Sequence, residues 1–218
     1  MATAVMTYNT LVSDVKAYLE RGGSTDTEVI AQIPRFIMLA QERIAREVKV
    51  LGTIQYVSGN MASGVSVYAK PGRWRETVHL NFGSGTGNNT RNFLFKRNYD
   101  ALRSYWPDDT QTSTPAYYAE YNFTHFLVVP TPDAAYPFEL AYWELPEPID
   151  TGNQTNWLTQ YAPDLLLYAT LLETAPFLKT DERIQVWQQM YDRAAKALGA
   201  EDAQRGTDSA ANPMKVIP

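Results

Sequence analysis

The chain has 218 residues and a formal net charge of −5 at pH 7, with 44% hydrophobic and 20% charged residues. It has no cysteine, which excludes disulfides, thiolate zinc sites and cysteine nucleophiles. The acidic balance argues against a protein that binds duplex DNA by neutralising its phosphates. Its apolar runs are shorter than the roughly 20 residues that cross a bilayer, so no membrane partner is expected.

The first 51 residues predict helices. Apolar residues at helical spacing predict a helix over residues 8–21, with Gly22-Gly23 as its stop. Thr25-x-x-Glu28 has the form of a capping box, and Pro34 either kinks the helix that follows or begins a longer segment. From residue 36 to 51 the apolar positions again share one face, which predicts an amphipathic helix: Phe36, Ile37, Ala40, Ile44, Val48 and Leu51.

After Gly52 the hydrophobic period changes from about 3.6 residues to 2, which is typical of strands. The glycine-rich run over residues 83–90 reads as a flexible hairpin loop, since strand-like residues follow it where a P-loop needs Lys-Ser/Thr and a helix. Residues 99–105 predict a short helix. The predicted strands, taken as an antiparallel sheet, cover residues 54–58, 77–82, 92–97, 116–123, 125–129 and 138–143.

The last quarter returns to helix. Pro163 suits a first helical turn, and leucines on every side of the segment that follows predict a helix buried nearly all round. Thr180-Asp181-Glu182 predicts the start of a last helix, whose apolar face includes Trp187, Tyr191 and Leu198. Beyond Gly199 the residues are small and polar, and we expect an extended or disordered tail.

The order of helices, strands and helices predicts an α+β fold. A helical body, made of the N-terminal helices and a C-terminal helical hairpin, carries an antiparallel β-rich insertion and an extended C-terminal tail. The predicted divisions are residues 1–51 and 151–199 for the helical domain, 52–150 for the insertion and 200–218 for the tail.

Positive charge concentrates in the insertion. Between Lys70 and Arg103 seven basic residues stand against Glu76 and Asp100, so the segment is basic within an acidic chain. Scattered, solvated arginines on strand faces are one explanation. The other is a basic surface that faces a subunit or tail partner, formed by Lys70, Arg73, Arg75, Arg91, Lys96 and Arg97.

Residues for catalysis, cofactors or metals are not evident. The two histidines, His79 and His125, lie in strand-like segments without convergent partners at ligand or triad spacing. A glycosidase-like carboxylate pair remains an alternative, drawn from acids near tryptophans: Asp108, Asp109, Glu144, Glu147 and Asp150. Acidic residues at proline-rich turns are also common in plain solvated loops, so no enzyme activity and no cofactor are expected.

Motifs along most of residues 8–198 resemble those of the head-to-tail adaptor proteins of tailed phages, especially short-tailed ones. The resemblance is most specific in the C-terminal hairpin, from Trp157-Leu through Pro163-Asp-Leu-Leu to Asp181-Glu-Arg-Ile-x-x-Trp187. The other matching segments are Leu11-Val-x-x-Val15, Ile33-Pro-Arg-Phe-Ile37, Gln41-Glu-Arg-Ile-Ala-Arg-Glu47, Phe126-Leu-Val-Val-Pro-x-Pro132 and Phe138-Glu-Leu-Ala-Tyr-Trp143.

The resemblance implies a structural virion protein. Similar adaptors form a dodecameric ring that joins the portal to the tail nozzle or tail tube and continues the DNA channel, through which DNA passes without specific binding. It implies assembly in the host cytoplasm and a final place in the virion neck. By position, it implies portal contacts at the last helix and tail: Trp187, Tyr191, Leu198, Met214, Lys215, Val216, Ile217 and Pro218.

A monomeric virion accessory protein or carbohydrate-binding module is the main alternative function, because the chain is rich in aromatic residues, with 14 Tyr and 5 Trp. The carboxylate-dependent glycoside hydrolase is a second alternative. The alternatives predict different behaviour: a compact monomer that ignores the portal, or turnover that is lost when Asp108 or Glu144 is neutralised.

Overall fold

A computed structural model describes residues 5–20, 27–178 and 182–211. The chain divides into two compact units. The helical unit comprises residues 1–53 and 145–218, and the sheet unit comprises residues 54–144. The α+β fold class is confirmed. The helices are α1 Tyr8–Tyr18, α2 Thr27–Glu47, α3 Tyr99–Tyr105, α4 Trp157–Tyr161, α5 Pro163–Leu178 and α6 Ile184–Ala211.

Helix α5 is the centre of the helical unit, where it packs against both α2 and α6. It begins at Pro163, as predicted, because a first-turn residue needs no backbone N–H partner. Its buried hydroxyls are satisfied within the helix, since Thr170 donates to the Leu166 carbonyl at 2.7 Å and Thr174 to the Leu171 carbonyl at 2.6 Å. As predicted, apolar side chains are buried on all its sides: Leu165, Leu166, Leu167, Ala169, Leu171 and Leu172.

A buried polar group, Asn156, ties α4 to the rest of the helical unit. Its side chain caps α4 by accepting from the Thr159 N–H, and the Asn156 N–H in turn donates to the Thr159 hydroxyl oxygen at 2.9 Å. The Asn156 amide group donates to Gln41 Oε1 of α2 at 2.8 Å and to the Glu147 carbonyl at 2.7 Å. One side chain therefore satisfies three buried or part-buried groups at once.

We expect Asn156→Ala to lower the free energy of unfolding by about 2–3 kcal/mol, because it removes a helix cap and leaves the buried Gln41 oxygen without its donor. Asn98→Ala is the matched control, since Asn98 caps α3 through one exposed bond to the Asp100 N–H, and it should cost only about 1 kcal/mol. Urea denaturation measures both. Equal losses would contradict the role given to the buried network.

The sheet unit is built on a seven-stranded sheet with the order β1-β9-β3-β4-β6-β7-β2, beside a two-stranded sheet of β5 and β8. Its main core lies on one face of the large sheet, where Leu80, Phe82, Leu94 and Leu140 are buried. The strands are β1 Ile54–Asn60, β2 Val67–Ala69, β3 Trp74–Ser84, β4 Thr90–Lys96, β5 Thr112–Ser113, β6 Tyr117–Glu120, β7 His125–Val129, β8 Thr131–Pro132 and β9 Pro137–Glu144.

The sheet is mixed, whereas an antiparallel sheet was predicted. Strands β4 and β6 run parallel, and so do β5 and β8. Parallel neighbours need a crossover of a dozen or more residues, and the segment between β4 and β6, which contains α3, supplies one. The alternation of apolar and polar residues correctly predicted strands. It carries no information on whether neighbouring strands run parallel or antiparallel.

The predicted loop over residues 83–90 is largely a tight hairpin turn. Strand β3 continues to Ser84 and β4 begins at Thr90, with a 3-10 turn between them. Gly85 and Gly87 adopt φ of 77° and 70°, which a residue with a Cβ rarely accepts. The glycines therefore make a defined turn, and the strands on both sides of it stay paired.

The last helix is longer than predicted. Helix α6 passes through Gly199 and continues to Ala211, so residues 200–211 are helical, not extended. The segment Ala200-Glu-Asp-Ala-Gln-Arg205 consists mostly of good helix formers, and the two glycines of the helix, Gly199 and Gly206, each weaken it by only about 1 kcal/mol. Residues 180, 181 and 212–218 lie outside the described residues, as do Gly22, Gly23 and Thr25.

Pro34 neither starts nor breaks a helix, since α2 runs through it from Thr27 to Glu47. Among the helices in the described part of the chain, none is long and apolar enough to cross a bilayer.

Candidate interaction surface

Four ring-bearing side chains form a row on one face of the large sheet: exposed Tyr56, Phe93 and Phe95, with half-buried His79 among them. Strand register places Tyr56 and His79 on either side of Ala141. The ring of His79 lies 6.2 Å from that of Tyr56 and 5.6 Å from that of Phe93. Tyr56 is 62% exposed, Phe93 55% and Phe95 63%. We call this row the aromatic face.

The aromatic face is open because helix α3 covers only part of its side of the sheet. Leu102 of α3 packs on Ala119, Leu127 and Val129 of β6 and β7 and is itself buried. The main core lies on the opposite side of the sheet. Leu94, which stands between Phe93 and Phe95 in the sequence, points into that core. Large apolar side chains left exposed together are typical of interaction surfaces.

Two arginines flank the phenylalanines at alternate positions of the same chain segment. Arg91, Phe93, Phe95 and Arg97 therefore share a side. Arg91 donates to Asn81 Oδ1 at 3.4 Å, and the Arg97 guanidinium lies 5.8 Å from the ring centre of Tyr117. Within the described residues neither arginine contacts a carboxylate. The surface combines aromatic rings with available positive charge.

The other basic residues of the predicted surface have internal partners, which sequence reasoning did not identify. Arg73 binds Glu144 at 2.9 Å, and Arg75 also takes part in an interaction within the protein. Lys70 and Lys96 both pair with Glu120, with Lys96 Nζ 3.0 Å from Glu120 Oε1. The six predicted residues therefore do not form one basic patch.

Lys70 is a buried structural cation. Its side chain is only 2% exposed. It donates to Glu120 and to the Asn122 carbonyl at 2.9 Å, and its ammonium lies 3.8 Å from the ring centre of Trp74. Burial of Glu120 opposes ionisation, but hydrogen bonds and positive charge from Lys70 and Lys96 outweigh it and lower the pKa of the carboxyl.

The predicted portal contacts on α6 lie mostly in the core of the helical unit. Trp187 and Tyr191 are each 3% exposed, and Leu198 is half-buried against the same core. The Tyr191 hydroxyl donates to Glu47 Oε2 at 2.5 Å. Their helical spacing reflects packing, so Trp187 and Tyr191 are not accessible to a partner in this structure.

Among the described side chains of α6, the exposed large apolar residues are Val186 and Met190, 49% and 36% exposed, which sequence analysis did not select. They are four residues apart and so share a face of the helix. The remaining predicted contacts, Met214, Lys215, Val216, Ile217 and Pro218, lie outside the described residues.

The candidate catalytic carboxylates make structural bonds. Asp108 accepts from the Thr110 N–H and hydroxyl at 3.0 and 2.6 Å, an arrangement typical of a turn, and these bonds lower its pKa. Glu144 pairs with Arg73. The described residues contain no group of three or more His, Cys, Asp or Glu side chains placed to hold a metal ion.

A comparison with protein families matches residues 6–216 to the family described as SU10 adaptor protein. A search of curated proteins finds no significant match. The family match spans nearly the whole chain and includes both units, with the motifs that resembled phage adaptors inside it. The chain therefore belongs to the SU10 adaptor protein family, a family of phage head-to-tail adaptors.

Proposed function

We propose that this adaptor is a structural protein of the virion neck that forms a ring joining the portal to the tail and continuing the DNA channel. The family match supports the adaptor role in general. The exposed aromatic face is the observation that supports assembly, because a surface of this kind is normally covered by a protein partner. A dodecamer, formed in the host cytoplasm, is the expected ring.

In this proposal the aromatic face meets a neighbouring subunit or the tail nozzle or tube. A ring uses two different surfaces on each subunit, and aromatic rings beside Arg91 and Arg97 suit an apolar surface with acidic residues at its edge. The overall charge of −5 suits a channel that must let DNA pass without holding it.

The portal side is proposed at the C-terminal part of the chain. The exposed side chains Val186 and Met190 of α6, half-buried Leu198 and the segment from Met214 to Pro218 are the candidates there. Trp187 and Tyr191 support these contacts indirectly, by holding α6 on the helical core.

The test is electron microscopy of the protein mixed with the portal encoded by the same genome, beside each protein alone. We expect rings stacked on the portal from the natural chain. The double variant Phe93→Ser with Phe95→Ser should reduce ring formation while the subunit stays folded, because both side chains are already exposed.

Tyr161→Ser is the matched control, since Tyr161 is 66% exposed but belongs to the helical unit, whereas the aromatic face belongs to the sheet unit. Its rings should form normally. A bare portal at high concentrations of the natural chain would overturn the proposal. The aromatic face would then be tested against a glycan panel, since exposed aromatic rings also suit sugars.

A further inference from the structure

Strand β4 has an unfinished edge. Its residues Thr90–Leu94 pair with β3, but on the other side β6 joins β4 only at Phe95 and Lys96. Residues 90–94 therefore have no strand in register on the β6 side. Unpaired strand edges are templates for the addition of another strand.

The backbone amides of Arg91 and Phe93 point toward this open edge, as the bonds of the next residues along the strand show. Phe95 N donates to the Ala116 carbonyl at 3.1 Å, and Arg97 N donates to the Tyr118 carbonyl at 2.9 Å. Amides of alternate residues point to the same side of a strand, so those of Arg91 and Phe93 also face the β6 side. Beyond the last paired residue they meet no partner strand.

An open cleft follows the same edge. It has a volume of about 310 Å³ and lies between β4 and the segment that leads into β6. Its lining includes six apolar or aromatic residues, Phe82, Phe93, Phe95, Pro115, Ala116 and Tyr117. Thr114, Ser84 and Asn92 add hydroxyl and amide groups. A strand in this position would find backbone partners at β4 and apolar contacts beside it.

We propose that this edge receives an extended, acidic segment of a partner virion protein, which adds to the sheet as a strand along residues 90–94. Alternate residues of the added strand lie on the side of the sheet that carries Arg91, Phe93, Phe95 and Arg97. Apolar residues at these positions meet the aromatic rings, and carboxylates at these positions meet Arg91 and Arg97, which have no carboxylate partner in the described part of the chain. This mode rests on the proposed adaptor function and names how one partner is held.

Hydrogen exchange with a peptide probe tests the proposal on the full chain. The probe is a labelled heptapeptide, Glu-Thr-Val-Thr-Val-Thr-Glu, with blocked ends, in which the glutamates and the valines share one face of the strand. Binding should slow exchange of the Arg91 and Phe93 amides by about tenfold or more, because each amide gains a hydrogen bond. The same peptide methylated on alternate backbone nitrogens that face β4 should bind about tenfold or more weakly, since it cannot complete the ladder.

Charge reversal tests the acidic preference. Arg91→Glu with Arg97→Glu should weaken peptide binding about tenfold or more. Arg35→Glu is the control, because Arg35 is an exposed residue of α2 in the other unit, and it should leave binding unchanged. A lysine-for-glutamate version of the peptide should bind the natural chain more weakly than the acidic peptide.

The outcomes separate strand addition from surface adhesion and from the adaptor role. Equal binding of the methylated peptide, protection away from β4, or no binding at all would overturn strand addition. If the natural chain still forms rings on the portal in those cases, the adaptor function stands and only the strand-addition mode falls. If the peptide binds along β4 but the natural chain forms no rings on the portal, the strand-addition mode stands and the proposed ring falls.

Discussion

Replacing Trp187 by alanine is expected to lower the free energy of unfolding of the isolated protein by about 3–5 kcal/mol. Trp187 is 3% exposed in the core of the helical unit, and the Arg183 guanidinium lies 5.3 Å from its ring centre. Truncation leaves a cavity that the packed helices fill only in part. Urea denaturation, followed by circular dichroism in the absence of any portal, measures the loss.

Val186→Ala supplies the comparison, because Val186 is the neighbouring residue and is 49% exposed. It should change the unfolding free energy by less than about 0.5 kcal/mol. If Trp187→Ala left the isolated protein as stable as the natural chain but abolished portal binding, the docking role predicted from the sequence would be restored and the packing role would be wrong.

Replacing Lys70 by methionine is expected to cost about 2–4 kcal/mol of stability, because the substitution leaves Glu120 with only its more exposed partner, Lys96. The estimate lies below that for a fully buried pair, since the Glu120 side chain is 32% exposed. Lys96→Met is the matched control: Lys96 pairs with the same carboxylate but is 51% exposed, and its loss should cost under about 1 kcal/mol.

The Lys70 prediction also has a pH signature. The pKa of Glu120 in the folded protein is below the ordinary value of 4.5, so its contribution to stability is present above that value. The contribution disappears as the pH falls through the lower, folded-state pKa. The stability gap between the natural chain and Lys70→Met should therefore narrow under acid conditions in urea titrations, and a gap that widened would contradict the ion-pair explanation.

Local sequence was a sufficient guide to many elements. The period-2 alternation around Leu80 and Phe82 identified a strand, and the surplus of leucines after Pro163 identified a helix buried on all sides. Both signals arise from residues close together in the chain. The ends were less accurate: α1 ends at Tyr18, and α6 continues to Ala211, because local propensity changes little across such boundaries.

The interaction surface depended on information that no local signal carries. In the run Asn92-Phe93-Leu94-Phe95, alternation alone does not say which side faces the core. The pairing of Leu94 with Leu80 turns the leucine inward and leaves both phenylalanines on the open side. Likewise, Lys70 and Arg73 meet carboxylates 50 and 71 residues further along the chain.

Periodicity and motif order are properties of the chain, so the residues alone were enough to establish the α+β class, the main helices and strands, and membership of a phage adaptor family. The parallel pairing of β4 with β6, the internal neutralisation of Lys70 and Arg73, and the exposure of the aromatic face became evident only in the folded protein. These depend on register and contact between distant segments, where small differences in packing and charge pairing select one arrangement among many.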